Sequence, residues 1–172
     1  HKGNFQPQRD ATNIFVAAFT TAHARLKLYD ALDHLKESVL YYDTDSIIYV
    51  SNGSNDPPTG DYLGEFTDEL DGKYITTFVS GGPKNYAYTC SDGSQTAKVK
   101  GFTLNFQNLQ KINFESMVAL VCNEAEAEQS IVVENNRFCR NSRLKTIENK
   151  LEEKKYRVCY TKRALQPDYN TL

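Results

Sequence analysis

The chain has 172 residues, 40% of them hydrophobic and 24% charged, which is enough apolar material for one domain or two small lobes and too much for a disordered tail. Its four cysteines, Cys90, Cys122, Cys139 and Cys159, lie far apart with no CxxC pair, so neither a zinc site nor a redox motif is indicated and reduced, buried thiols are expected. The net charge of −2 hides a segregation: residues 137–163 hold ten Lys or Arg against three Glu, a local +7 that leaves −9 for the rest.

Residues 1–12 are polar, with Gly3 and Pro7, and predict a loop; the run HKGNFQPQRD, without an initiating Met, reads as the start of a fragment. A helix is expected over residues 13–35, where Ile14, Phe15, Ala18, Ala22, Leu26, Tyr29, Leu32 and Leu35 recur at spacings of mostly three and four and give one buried face. Asp10 or Thr12 would cap it. His23 and His34 are eleven apart, about three turns, too far to share a metal.

Residues 39–50, VLYYDTDSIIYV, are strand-forming on both sides of Asp43 and Asp45 and predict a β-hairpin with Asp-Thr-Asp at its tip. Two like charges beside apolar strands repel in a lowered dielectric unless a cation compensates them, and a divalent metal is the simplest one. Thr44, small and β-branched, is expected to suit the turn between the acids. The flanking strands should bury the base of the hairpin.

Residues 51–60 form a loop by every turn signal, and residues 61–72 are acidic and weakly periodic, a short helix or irregular connection in which Glu65 is a secondary candidate for the metal site. Between residues 73 and 105 the runs YITTFVS, NYAYTC and AKVKGFTLN predict three antiparallel strands, the last two joined by an SDGS turn. Helical character returns over residues 106–128, with Phe114, Met117, Val118 and Val121 on one face and an acidic end at Glu124, Glu126 and Glu128. IVVENNRFCR predicts a further strand, and residues 145–155 a charged helix or an extended basic element. The basic segment predicts a polyanion-binding lobe; a solvated face laced with opposite charges would account for the same composition. There is no signal peptide and no apolar run near the roughly 20 residues of a membrane span, so the chain reads as soluble and intracellular with no membrane partner.

A calcium loop is excluded because Ile47 and Ile48 stand where an EF-hand needs oxygen ligands and Gly. A DxD phosphatase, with Asp43 as nucleophile, would leave the strand for a loop after the second Asp, whereas residues 46–50 resume strand character. The turn Gly81-Gly82-Pro83 should place Lys84 at the start of a strand with Tyr86 on the same face, a cation and a phenol suited to a DNA backbone. Lys98 and Lys100 extend that strip.

The motif YYDTDS, residues 41–46, resembles the palm carboxylate motif YxDTDS of family B DNA polymerases. TTAHARLKLYDAL before it and SGGPKNYAY after it resemble the protein-primed branch, particularly polymerases of the Polinton (Maverick) transposons and related viruses. The likeness covers residues 13–105 and extends more weakly to the C-terminus. It implies an α+β fold: an antiparallel palm sheet with the YxDTDS hairpin packed on a long helix over residues 1–105, then a small β/α thumb-like DNA-binding region over residues 106–172. It implies that Asp43 and Asp45 are catalytic metal ligands for Mg2+ or Mn2+, with Asp45 the main one. Lys84-Asn85-Tyr86 resembles the KxY motif, so Lys84 would contact primer phosphate and Tyr86 the primer terminus. Lys98, Lys100, Arg137, Arg140, Arg143, Lys145, Lys150, Lys154, Lys155 and Arg157 would bind DNA. The implied partners are primer–template DNA, a deoxynucleoside triphosphate and a priming protein, at a nuclear or viral replication site. The family's DxxSLYP and KxxxNSxYG motifs occur nowhere in these 172 residues, so the resemblance implies a polymerase fragment that is inactive alone. A non-catalytic DNA-binding module is the competing expectation.

Overall fold

Asn13 sets where the first helix begins. In the computed structural model, which describes residues 13–122 and 130–160, its side chain accepts the Val16 N–H at 3.1 Å and α1 runs Ile14–Leu35. This satisfies one of the donors that every helix start leaves open. Asp10 and Thr12, the expected caps, lie outside the described residues. Lys36, at φ +47°, ends the helix with its N–H still bonded to Leu32 O. Most of the expected buried face is not buried: Leu35 is, together with Leu28 and Ala31 from outside it, but Phe15 is 77% exposed and Ile14 69%, and Leu26 and Tyr29 are exposed as well. Periodicity established the helix and the alignment of its apolar residues; whether anything covers them is a tertiary matter.

A 3-10 turn, Lys36–Ser38, leads into β1 (Val39–Asp43), which pairs antiparallel with β2 (Ser46–Tyr49). The base of the hairpin is closed by Val50 N–H on Ser38 O at 2.8 Å. Its flanks are less covered than their composition suggested, with β2 half-buried throughout and Leu40 and Tyr42 exposed. The loop that follows is tied down by its own side chains. Asn52 Oδ1 accepts from Ser54 N–H and Asn55 N–H, and Asn55 Nδ2 donates to Val50 O. Residues 61–72 are irregular, with Glu65 Oε2 accepting Tyr62 N–H at 3.0 Å. The carboxylate that sequence marked as a secondary metal candidate thus braces its own turn.

The chain divides into two compact units, His1–Glu69 and Leu70–Leu172. In the second unit, β3 (Ile75–Gly82), β4 (Asn85–Cys90) and β5 (Gln95–Val99) form an antiparallel sheet in the order β3-β4-β5. The third strand ends at Val99, not near Asn105, because Lys100 and Gly101 turn the chain, Gly101 at φ +84°. In the SDGS turn, Asp92 pairs with Lys73 Nζ at 2.8 Å and accepts from the N–H and hydroxyl of Ser94. The Lys73 ammonium first, then Ser94, holds the Asp92 carboxyl well below the usual carboxylate range.

The single helix expected over residues 106–128 is two: α2 (Phe106–Lys111) and α3 (Phe114–Cys122). Asn113 breaks them with a reciprocal cap, its Oδ1 accepting Ser116 N–H at 2.9 Å while its own N–H donates to Ser116 Oγ at 3.0 Å. Asn105 caps α2 through Asn108 N–H. Glu124, Glu126 and Glu128 lie outside the described residues. Residues 145–155 take the extended alternative: β7 (Thr146–Tyr156) pairs along its whole length with β6 (Ile131–Asn141) as an antiparallel ribbon. Val79, Ala87, Val99, Ile112, Met117, Val133 and Tyr156 make one core, so the three-stranded sheet, both short helices and the base of the ribbon are packed together. The architecture is α+β with antiparallel sheets and few helices. None of the four cysteines is in a disulfide, but only Cys90 is buried; Cys122 is exposed. Among the described residues no helix is long and apolar enough to cross a membrane.

Candidate active site

In the first unit, Asp43 ends β1 opposite Ser46, which leaves Thr44 and Asp45 as the connection. Asp45 N–H bonds back to Asp43 O at 2.5 Å, an i to i+2 turn centred on Thr44 at φ +44°. A β-branched residue is a poor choice there, because its side chain crowds the backbone at positive φ. Thr44 therefore does not suit the turn as expected; it is held in it. Its hydroxyl donates to Asp43 Oδ1 at 3.1 Å, and Ser46 Oγ donates to Asp43 O at 3.2 Å. The turn thereby keeps both acids at one tip, with Asp43 half-buried and Asp45 exposed.

Two carboxylates are hard oxygen donors of the kind magnesium or manganese takes, and magnesium commonly uses one or two of them and completes its shell with phosphates and water. The donor set at the tip fits such an ion. Among the described residues, no group of three or more His, Cys, Asp or Glu is placed to hold a metal.

Near the hairpin base, Tyr49 Oη donates to Asp56 Oδ1 at 2.9 Å. Burial, then Asp56 and Asp68, pushes the Tyr49 phenol up to about 12. This group is a neutral tether between β2 and the loop.

In the second unit, Pro83 and Lys84 form the two-residue connection between Gly82 and Asn85, with Lys84 at φ +61°. Lys84 thus lies in the turn rather than on the strand, so strand alternation does not put it on Tyr86's face. Lys84 O nevertheless accepts Lys100 N–H at 2.9 Å, and Tyr86 is the cross-strand partner of Lys98. All four sequence-selected residues are brought together at one end of the sheet. Tyr86 also stands in an aromatic row that sequence reading passed over: its ring is 6.0 Å from Phe78 and 6.3 Å from Tyr88, nearly parallel to the latter. The signal in the sequence was the two-residue spacing of Tyr86 and Tyr88, and Phe78 joins them only once β3 and β4 are in register.

The ribbon collects the remaining basic candidates. Arg137 pairs with Lys150 across the strands, Arg140 stands opposite Ile147, and Arg143 and Lys145 lie in the connecting turn. Lys155 and Arg157 are exposed at its base. Lys154 is engaged within the unit, donating to Gly101 O at 2.9 Å and lying 3.9 Å from Glu152, which also faces Arg137 at 3.8 Å.

Comparison with models of protein families, with curated proteins and with solved structures returns no match.

Proposed function

We propose that this chain is part of a family B DNA polymerase of the protein-primed branch, residues 1–105 belonging to the palm and residues 106–172 to a thumb-like region. The observation that carries this reading is the YYDTDS hairpin, in which a turn centred on a residue at unfavourable φ holds Asp43 and Asp45 at one tip. Strain maintained by surrounding structure is a feature of functional sites.

In this reading Asp43 and Asp45 hold a divalent cation, Asp45 as the main ligand. Bound there, magnesium would neutralise the charge of a deoxynucleoside triphosphate and favour ionisation of a primer 3′ hydroxyl. The chain's own contribution is position: the hairpin keeps the carboxylates still, Lys84 contacts primer phosphate, Tyr86 packs near the primer terminus, and Lys98 and Lys100 extend the cationic strip. The basic residues of β6 and β7 take duplex phosphates. A further carboxylate comes from the DxxSLYP motif, absent from these residues, so the 172-residue chain alone has no polymerase activity. Protein priming, and a nuclear or viral replication site, follow from the subgroup likeness alone.

The test is substitution in the parent polymerase. Asp43→Asn and Asp45→Asn should each abolish magnesium-dependent primer extension while leaving DNA affinity within a few-fold of the unmodified protein. Normal synthesis by either variant would sink the reading. A non-catalytic DNA-binding module is the second reading, favoured by the basic ribbon; it predicts that both variants are silent in every assay. The phosphatase reading is disfavoured because β2 resumes directly after the turn, and it would require turnover of a simple phosphate ester that Asp43→Asn removes.

A further inference from the structure

The distal half of the β6–β7 ribbon has no core over it. Val133, Asn135 and Tyr156 are buried at the base, whereas Phe138 is 80% exposed, Ile147 75% and Leu151 63%. The register places these three on one face. Asn136 pairs with Leu151, Phe138 with Asn149, and Arg140 with Ile147, and partners across an antiparallel pair share a face. Phe138 is thus diagonal to both Ile147 and Leu151, a single apolar row with Arg140 beside it. Arg137 and Lys150 pair on the other face, and Arg143 and Lys145 occupy the tip.

Residues 136–151 carry five Arg or Lys and one Glu. An exposed apolar strand face is ordinarily a self-association hazard. Here a second copy of the same ribbon would bring five cations against five, which disfavours that occupant, while the same charge attracts a polyanion. A two-stranded ribbon is narrow enough to enter a groove of duplex DNA. β-Ribbons are also found in the minor groove, where bound proteins frequently insert apolar side chains between base steps, partly unstacking them and kinking the duplex.

We propose that the β6–β7 ribbon is a DNA-wedging arm: Phe138, flanked by Ile147 and Leu151, inserts at a base step of duplex DNA while the surrounding Arg and Lys neutralise phosphates on either side of the groove. The inference rests on the DNA-binding part of the proposed function and is independent of nucleotidyl transfer.

The experiment uses the 172-residue chain and duplex DNA containing 2-aminopurine, whose fluorescence rises on unstacking, with anisotropy to follow binding. The unmodified chain should bind and raise the fluorescence. Phe138→Ala should lose the rise yet keep binding and its salt dependence; its exposure makes the substitution harmless to folding, and Ile147→Ala, equally exposed, should reduce the rise independently. Lys150→Gln should keep the rise at saturation but lower the slope of log K against log salt by about 0.9. Absence of binding, binding without a rise, or a rise that survives Phe138→Ala would overturn the proposal, as would a dimer in sedimentation velocity that Phe138→Ala dissolves. No rise with the unmodified chain, beside intact Asp43-dependent synthesis in the parent, would remove the arm alone, and a Phe138-dependent rise beside Asp43-independent synthesis would remove the polymerase reading alone.

Discussion

The hydroxyl of Tyr156 lies 2.7 Å from where a Cβ on Gly81 would stand, so the end of β7 crosses the end of β3 with room for a hydrogen and nothing larger. The next residue is equally constrained. Gly82 adopts φ +111°, a Cβ there would run into the carbonyl of Cys159, and Cys159 N–H donates to Gly81 O at 3.0 Å. Gly81→Ala should therefore destabilise the protein by about 2 kcal/mol, the range of overpacking in a closed core. Because the phenol oxygen is the near atom, adding Tyr156→Phe should recover part of the loss. Denaturant unfolding of the two single variants and the double variant measures this coupling; strictly additive effects would refute it.

Tyr156 itself is a buried phenol whose oxygen has no hydrogen-bond partner among the described residues. An unpaired buried hydroxyl destabilises, so Tyr156→Phe should be at least as stable as the unmodified protein at neutral pH, within about 1 kcal/mol. Burial, with Tyr160 nearby, pushes this phenol up to about 12, against about 10 in the unfolded chain. The stability tied to its neutral form is complete below pH 10 and is lost as pH rises through about 12, because the unfolded state releases the proton first. Tyr156→Phe should flatten that alkaline fall. Unfolding free energies measured across the window check it.

Asn108 joins α2 to β6. Its Nδ2 lies 2.8 Å from Thr103 O, 3.3 Å from Glu134 O and 2.7 Å from Asn135 Oδ1, and both asparagines are buried. Asn108→Ala strands these acceptors and should cost about 2–3 kcal/mol. Asn108→Leu should be no better, since the defect is polar rather than volumetric. Thermal unfolding of both variants distinguishes a lost hydrogen-bond hub from a simple cavity, which leucine would fill.

Thr44 holds φ +44° with a branched side chain. Thr44→Gly removes the crowding and should stabilise the hairpin by about 1 kcal/mol at most, partly offset by the added freedom of the unfolded chain. The same change deletes the hydroxyl that donates to Asp43 Oδ1. If Asp43 and Asp45 hold a divalent cation as proposed, Mn2+ binding followed by calorimetry should therefore weaken even as stability rises. Tighter binding would mean that the turn's strain does not serve the carboxylates.

Residue order alone was sufficient wherever a local pattern had a single physical solution. The hairpin around Asp43 and Asp45, the three strands between Ile75 and Val99 and the α1 helix follow from alternation, turn residues and a 3.6-residue period, because each depends on neighbours a few positions away. Local rules failed where two solutions were close in energy. Residues 145–155 suit a charged helix or a strand, and only pairing with β6 chose the strand; residues 106–128 suit one helix until Asn113 and Ser116 cap each other.

By itself the sequence determined which residues carry charge and chemistry: the paired acids at the hairpin tip, the lysines near Tyr86 and the basic run after Asn136. Only the tertiary structure decided what those residues share a face with. Gly-Gly-Pro read as a turn signal, yet Gly81 and Gly82 are required because Tyr156 and Cys159 pass against them. Phe138, Ile147 and Leu151 are scattered among charged residues along the chain and form one exposed row only where β6 and β7 are in register. Chemical identity is a property of each residue, whereas juxtaposition depends on contacts between positions far apart in the chain, which no local pattern encodes.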